Sequence, residues 1–452
     1  MNDELLKRIL NTIKDELSIN LDDQEYMMYL YEKIEKAYVK ANEHNISVND
    51  FISRIKLEIP TFLKNYNDMK KTFDDQEKNN DSKFGISICF QLVDLFDIAK
   101  LCSNNDEFVI LRNKYFESLS TDPRFQGFDF IFPGLKEINL EEINNIKNNI
   151  LKYVDCITPE WAGKMRMNID PREELFVNGK INDNIFKFDY LDKMANFARK
   201  NNLKLRLHTI VWYQQIPYFL KNARKEDVLL FLDVYMSKLY HRYSDIIYTV
   251  DVLNEIASDT SDKILRDSAW KDIIGDEYYI DILRIAKKNF KNIPIAYNEY
   301  GEEHVEKRRN VMTIVNKIKS VEQKENIHLL DVIGIQSHYS RLTTDESIQD
   351  AYRDYLTLDK ELQVSELDVL NNGLDDKIDY QTNRVYRTVM GTASASKVKL
   401  INLWGVSSIV SCNSKRINNF LDANGNVSIY SQKLVKCYSK KNVMKNNSEL
   451  LK

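Results

Sequence analysis

The chain has 452 residues, 43% of them hydrophobic and 29% charged, with a net charge of −4, 12 glycines and 7 prolines. That length and apolar content allow one large domain plus an extension, and the scarcity of Gly and Pro excludes a chain built of disordered or long flexible segments. The near-balanced charge gives no reason to expect a nucleic-acid partner or an anionic membrane surface.

The N-terminus, MNDELLKRILNTIKDEL, interleaves charges with apolar residues at helical spacing and so does not read as a secretory signal. No window approaches the apolar run that a membrane span needs. Leu5, Leu6, Ile9, Leu10, Ile13 and Leu17 recur at three- and four-residue steps, and Tyr26–Asn42 and Val48–Tyr66 repeat the pattern. Ser47 or Asn49 would cap the third segment. Residues 1–75 are therefore expected to be a small helical region covering part of the larger domain, with an interaction module of undefined partner as the alternative. The polar stretch from Asp74 to Lys83 reads as a linker.

Beyond it, from residue 76 to 440, short apolar runs alternate with amphipathic segments. The runs are Phe84–Ile88, Tyr153–Ile157, Lys204–His208, Tyr248–Leu253, Ile293–Tyr297, Asp331–Ile335, Leu362–Ser365 and Leu400–Leu403. Helical patterns such as Leu191–Asn201, Val228–Tyr243, Glu277–Asn289 and Ile348–Leu358 fall between them. Eight strands alternating with helices predict an α/β fold of the (β/α)8 TIM-barrel type, preceded by the helical region and carrying an insertion near 90–150. The five cysteines, Cys89, Cys102, Cys156, Cys412 and Cys437, are widely spaced with no Cys-x-x-Cys, which argues against a disulfide framework or a zinc site. Neither metal nor cofactor is expected, and the cytoplasm is the expected location, where imported oligosaccharides would be the substrates.

A barrel of this kind carries its chemistry at the C-terminal ends of its strands. Those ends read Thr158-Pro159-Glu160, His208 with Trp212 and Gln215, Asn254-Glu255, Asn298-Glu299-Tyr300, Gln336 with His338, Glu366 with Asp368, and Trp404. Alone, each has an ordinary structural explanation: a satisfied histidine, a core tryptophan, a solvated carboxylate. Their convergence points to a site for a hydroxylated ligand. Glutamates on strands four and seven face each other across a barrel mouth, and paired carboxylates flanking a cleft are what glycoside hydrolysis requires. One donates a proton to the leaving oxygen; the other, ionised, attacks the anomeric carbon. A separation of about 5 Å implies retention of configuration.

The segments LRLHTIVWYQQIP, YTVDVLNEIASD, ILRDSAWKDIIGDEYY, IAYNEYG, DVIGIQSHY, LQVSELDV, INLWGVS and FLDANGNVSIY resemble, in order, the family 10 glycoside hydrolases, the endo-β-1,4-xylanase family. The resemblance covers residues 154–432. It implies that Glu255 is the general acid/base and Glu366 the nucleophile, with His338 orienting Glu366 and Asp368 behind that histidine. It further implies that Glu160, Lys164, His208, Trp212, Gln215, Asn254, Tyr300, Gln336, His338 and Trp404 line the sugar subsites. The substrate implied is a β-linked xylo-oligosaccharide or xylan, and the mechanism is double displacement without a cofactor. This chain departs from the family pattern in four places. Trp161 stands where the family has Asn, Tyr213 where it has His, Cys412 where it has a second Trp, and Glu299 where it has Asp. A rival register for the strand-two motif, YFESLSTDP at 115–123, fits less well than 154–160, because the downstream IDPREELF fits only the latter. Two other functions remain open at this stage: hydrolysis of another β-linked glycan, and a barrel that binds sugar without cutting it.

Overall fold

The computed structural model describes residues 46–76, 82–125, 133–370, 380–407 and 425–439, with isolated positions between 9 and 44 and between 410 and 422. The expected helices at 5–17 and 26–42 lie mainly outside the described residues, although Leu30, Ile34, Tyr38 and Ala41 are helical. Helix α1 (Val48–Gln76) begins at Ser47, whose Oγ accepts the Asp50 N–H at 3.2 Å while donating to the Asp50 carboxylate at 2.7 Å. Its apolar stripe, Phe51, Ile55 and Ile59, packs with Ile9, Leu30, Ile34 and Ala41 in a cluster of its own. The helix continues to Gln76, so Asp74 and Asp75 are helical rather than linker, and the other end of the expected linker, Lys83, is already in a strand.

Eight parallel strands come next: β1 (Lys83–Ile88), β2 (Cys156–Pro159), β3 (Lys204–Trp212), β4 (Ile247–Asn254), β5 (Ile295–Glu299), β6 (Val332–Ile335), β7 (Glu361–Leu370) and β8 (Leu400–Leu403). Each pairs with its successor, and β8 returns to β1 through Lys83↔Leu400 and Ile86↔Leu403, closing the barrel. This is the expected (β/α)8 architecture. The β1–β2 connection carries helices α2 (Phe90–Ala99), α3 (Asn105–Leu119) and α4 (Leu140–Tyr153), the last opened by a capping box between Asn139 and Glu142. The later connections carry α5 (Asp189–Lys200), α6 (Lys225–Tyr243), α7 (Tyr278–Phe290), α8 (Val305–Glu325), α9 (Asp345–Leu356) and α10 (Tyr380–Ala395), with α11 (Ile429–Tyr438) after β8. Their apolar faces pack on the barrel in one continuous core.

The largest departures from the expected bounds are in β2, β3 and β7. Tyr153 belongs to α4, and β2 starts at Cys156. Strand β3 runs past His208 to Trp212, and β7 past Ser365 to Leu370. In both cases the polar residue that read as a strand end sits inside the barrel mouth with its partners supplied by other strands. The rival motif 115–123 starts on α3, so it is not a strand end. No helix among the described residues is long and apolar enough to cross a membrane.

Candidate active site

The mouth is built on a charged floor. Arg206 and Asp251 are flanked by apolar neighbours in β3 and β4, and both are fully buried inside the barrel, paired at 2.6 Å. Burial of such a pair is tolerated only when both ends are bonded. Asp251 also takes His208 Nδ1 at 2.9 Å, and Arg206 reaches Asn298 Oδ1 at 3.3 Å. The His208–Thr209 peptide is cis.

Above this floor stand the two glutamates. Glu255 directly follows β4 with φ of +55°, in the left-handed region that side chains other than Gly seldom occupy. Its carboxylate accepts Trp212 Nε1–H at 2.7 Å on one oxygen and Gln336 Nε2–H at 3.0 Å on the other. Across the mouth, Glu366 in β7 is 3% exposed. It accepts Asn298 Nδ2–H at 2.7 Å and lies 3.2 Å from His338 Nε2. Asn298 also donates to Asn254 Oδ1 at 2.8 Å. Gln336 in turn lies 3.5 Å from Asn254 Oδ1, so a chain of amides connects the two carboxylates.

The two carboxylates have different surroundings. Burial alone would raise the pKa of Glu366, but the charges of His208, His338 and Arg206 outweigh it and hold the carboxyl at about 2. Burial likewise opposes protonation of His338. Asp368, 2.8 Å from Nδ1, and Glu366 reverse this and raise it to about 10. His338 stands between the two carboxylates, with Nδ1 toward Asp368 and Nε2 toward Glu366. Trp404 stands edge-on to both histidines, 5.5 Å from His208 and 6.2 Å from His338 between ring centroids.

The remaining expected positions surround this pair. Glu160, just past β2, is buried with Ser87 Oγ–H on one oxygen at 3.3 Å. Burial, reinforced by Glu366 and opposed by Lys164 and Ser87, raises its pKa to about 7. Lys164 Nζ lies between two indoles, 5.0 Å from the Trp161 ring and 4.6 Å from the Trp212 ring. Around the carboxylates, three buried polar atoms have no protein partner among the described residues, Glu160 Oε2, Asn254 Nδ2 and Gln215 Oε1, and in the floor below, Arg206 Nε and Nη1 have none either. Buried polar atoms are almost always bonded, so three orphans around one pair of carboxylates mark a place for a ligand rich in hydroxyls. Tyr300 sits apart, its hydroxyl in a cluster with Asp259 at 2.9 Å and Arg266 at 2.7 Å beside Glu255. Cys412 lies outside the described residues.

The model of glycosyl hydrolase family 10 matches residues 129–436. The chain belongs to glycosyl hydrolase family 10. Among its relatives, endo-1,4-β-xylanase A of Caldicellulosiruptor saccharolyticus is 28% identical over 320 residues, 66% of this chain and 88% of that protein. The endo-1,4-β-xylanase of Geobacillus stearothermophilus is 33% identical over 235 residues, 50% of this chain and 66% of that protein. The crystal structure of an endo-1,4-β-xylanase from Caldicellulosiruptor owensensis superposes with a TM-score of 0.59 at 23% identity, covering 80% of this chain and 98% of that one. This family 10 chain is accordingly a xylanase-like glycoside hydrolase. Within it, sequence reasoning placed Asn298 at a converging strand end without giving it a role, and missed Arg206 and Asp251 as builders of the site. The available signal was a charge between apolar neighbours in LRLH and VDVL, which places it inside the barrel.

Proposed function

We propose that this chain hydrolyses β-1,4-xylosidic bonds in xylan or xylo-oligosaccharides with retention of configuration, by double displacement. The observation that carries the reading is the pair of mouth carboxylates in unlike surroundings: Glu366 is held ionised at about 2 by cationic neighbours, while Glu255 is oriented by the neutral donors Trp212 and Gln336. In the first step a Glu366 oxygen attacks the anomeric carbon, the bond to the leaving oxygen breaks, and the Glu255 proton passes to that oxygen. In the second, Glu255 takes a proton from water, whose oxygen displaces Glu366 from the same carbon. His338 keeps Glu366 ionised and oriented, with Asp368 holding the ring. Asn254 Nδ2, Gln215 Oε1 and Glu160 Oε2 would receive sugar hydroxyls, while Lys164, His208, Trp212 and Trp404 would line the ring. No metal or cofactor is needed for this chemistry.

A second reading keeps the chemistry and changes the sugar. Trp161, Tyr213 and Glu299 depart from the family pattern around the subsites, which favours a shift toward another β-linked glycan. The test is product release from xylo-oligosaccharides by wild type beside Glu255→Ala and Glu366→Ala, with the anomer of the first product read by NMR. Cleavage giving the β-anomer first, lost in both variants, is expected. Wild type that binds xylo-oligosaccharides without cutting them would overturn the hydrolase reading. Cleavage of a different β-glycan alone would move the substrate.

A further inference from the structure

Glu255 is held on every side. Its N–H donates to Asn298 O in β5 at 2.9 Å, and its carboxylate is fixed by Trp212 and Gln336. The remaining backbone group, its carbonyl, accepts Arg266 Nε–H at 3.0 Å. Arg266 is on the return arm of the loop that leaves β4 at Glu255. That loop folds back on itself through Ser258 N–H to Ile264 O, Arg266 N–H to Ile256 O, and an antiparallel bridge between Ala257 and Leu265. The Arg266 side chain is 16% exposed. Nη2 donates to Asp259 at 2.8 Å and to the Tyr300 hydroxyl at 2.7 Å, and the group stacks 4.4 Å above the Tyr213 ring. Tyr213 in turn stands edge-on to Trp212, the indole that bonds Glu255.

We infer that Arg266 is a positioning residue for Glu255: it closes the left-handed turn at the glutamate's carbonyl and supports, through Tyr213, the indole that aims its carboxyl at the leaving oxygen. The inference rests on Glu255 being the proton donor proposed above. A carbonyl in a left-handed turn has no strand partner of its own, and an arginine fork can bond it while anchored elsewhere. Asp259 and Tyr300 are those anchors. Released from Arg266, Glu255 can relax toward ordinary backbone angles, and a displacement of about 1 Å at a proton donor costs on the order of 100-fold in rate.

The test separates proton donation from general damage. A dinitrophenyl leaving group departs without protonation, whereas an unactivated xylosyl or phenyl leaving group requires it. kcat/KM for both kinds of β-xylobioside is measured for wild type, Arg266→Met and Glu255→Ala. The expected result for Arg266→Met is a loss of about 100-fold on the unactivated substrate with less than about tenfold on the dinitrophenyl one, in the same direction as Glu255→Ala. Equal losses on both substrates in Arg266→Met, beside a selective loss in Glu255→Ala, would overturn the role of Arg266 alone. Equal losses in Glu255→Ala would overturn the proton-donor reading and this one with it. If Arg266→Met does not fold, Asp259→Asn serves, because it loosens the guanidinium from an exposed position and keeps the arginine. It must show a smaller selective loss of the same sign, and an unchanged substrate ratio would refute the inference.

Discussion

Glu160 offers a sharp stability experiment. Its carboxyl is 3% exposed, has one hydroxyl donor at 3.3 Å, and has one oxygen without a protein partner. Its pKa rises from the ordinary 4.5 to about 7 because burial penalises the anion, with Lys164 only partly compensating. Below pH 4.5 the group is neutral in native and unfolded chains alike, and its contribution to native stability is fully present. As pH rises toward 7 the unfolded chain releases the proton while the native chain retains it, so the unfolded state gains and native stability falls. Above about 7 the loss is complete. At about 1.36 kcal/mol per pH unit, the gap between 4.5 and about 7 corresponds to ~3 kcal/mol. Glu160→Gln removes the titration and keeps the shape. Urea unfolding of wild type and Glu160→Gln at constant ionic strength from pH 4 to 8.5 should show the difference in unfolding free energy moving by ~3 kcal/mol in favour of the glutamine across that window. A difference independent of pH would mean that the carboxyl titrates in the native protein as it does in the unfolded chain, and the desolvation argument would fail.

Two further outcomes are expected from the same network. Lys307 is 3% exposed and bonds Glu299, which is 1% exposed, at 3.0 Å. Lys307→Met leaves that carboxylate, whose pKa burial already raises, without its cation, and should destabilise the protein by ~3–5 kcal/mol at neutral pH, less in acid where Glu299 is neutral. Chemical denaturation at pH 4 and pH 7.5 checks it, and equal losses at the two values would refute it. A Cβ on Gly334 would lie 2.4 Å from Asn298 Oδ1 and 3.0 Å from Arg206 Nη2. Asn298 cannot yield freely, because that oxygen also accepts Ser365 Oγ–H at 2.6 Å. Gly334→Ala should therefore lower kcat/KM by about 100-fold through the displaced amide and lower stability by ~1–3 kcal/mol. Wild-type kinetics in this variant would show that Asn298 does not order the carboxylates.

Much of the architecture was legible because the barrel imposes a rhythm on the chain. Buried parallel strands must be continuously apolar, and the helices between them must be amphipathic. Strand β8 has the bounds its apolar run predicts, Leu400–Leu403. Strands β3 and β7 are longer than their apolar runs, since His208, Glu366 and Asp368 interrupt the pattern. A strand can bury such residues only where other strands supply bonds, and sequence reading at one position does not see those bonds. Tyr153 reads as a strand start in the sequence yet ends α4, because an aromatic residue before an apolar run fits a strand start and a helix end equally well.

The sequence by itself determined that eight strands alternate with helices, and that Glu160, Asn254, Glu255, Gln336 and Trp404 stand at or just beyond their ends, with His208 and Glu366 within β3 and β7 on the same side of the barrel. Chain order and residue type suffice for that, because strand ends in a closed parallel barrel meet at one face whatever the loops do. Only the tertiary structure decided how the two glutamates differ and what holds them. The amide chain through Asn298, Asn254 and Gln336 joins residues more than forty positions apart. The His338–Asp368 pair beside Glu366 depends on β7 extending past its apolar stretch. The grip of Arg266 on the Glu255 carbonyl depends on a loop folding back on itself. Electrostatic environment is a property of distances across the barrel, and those distances exist only once it has closed.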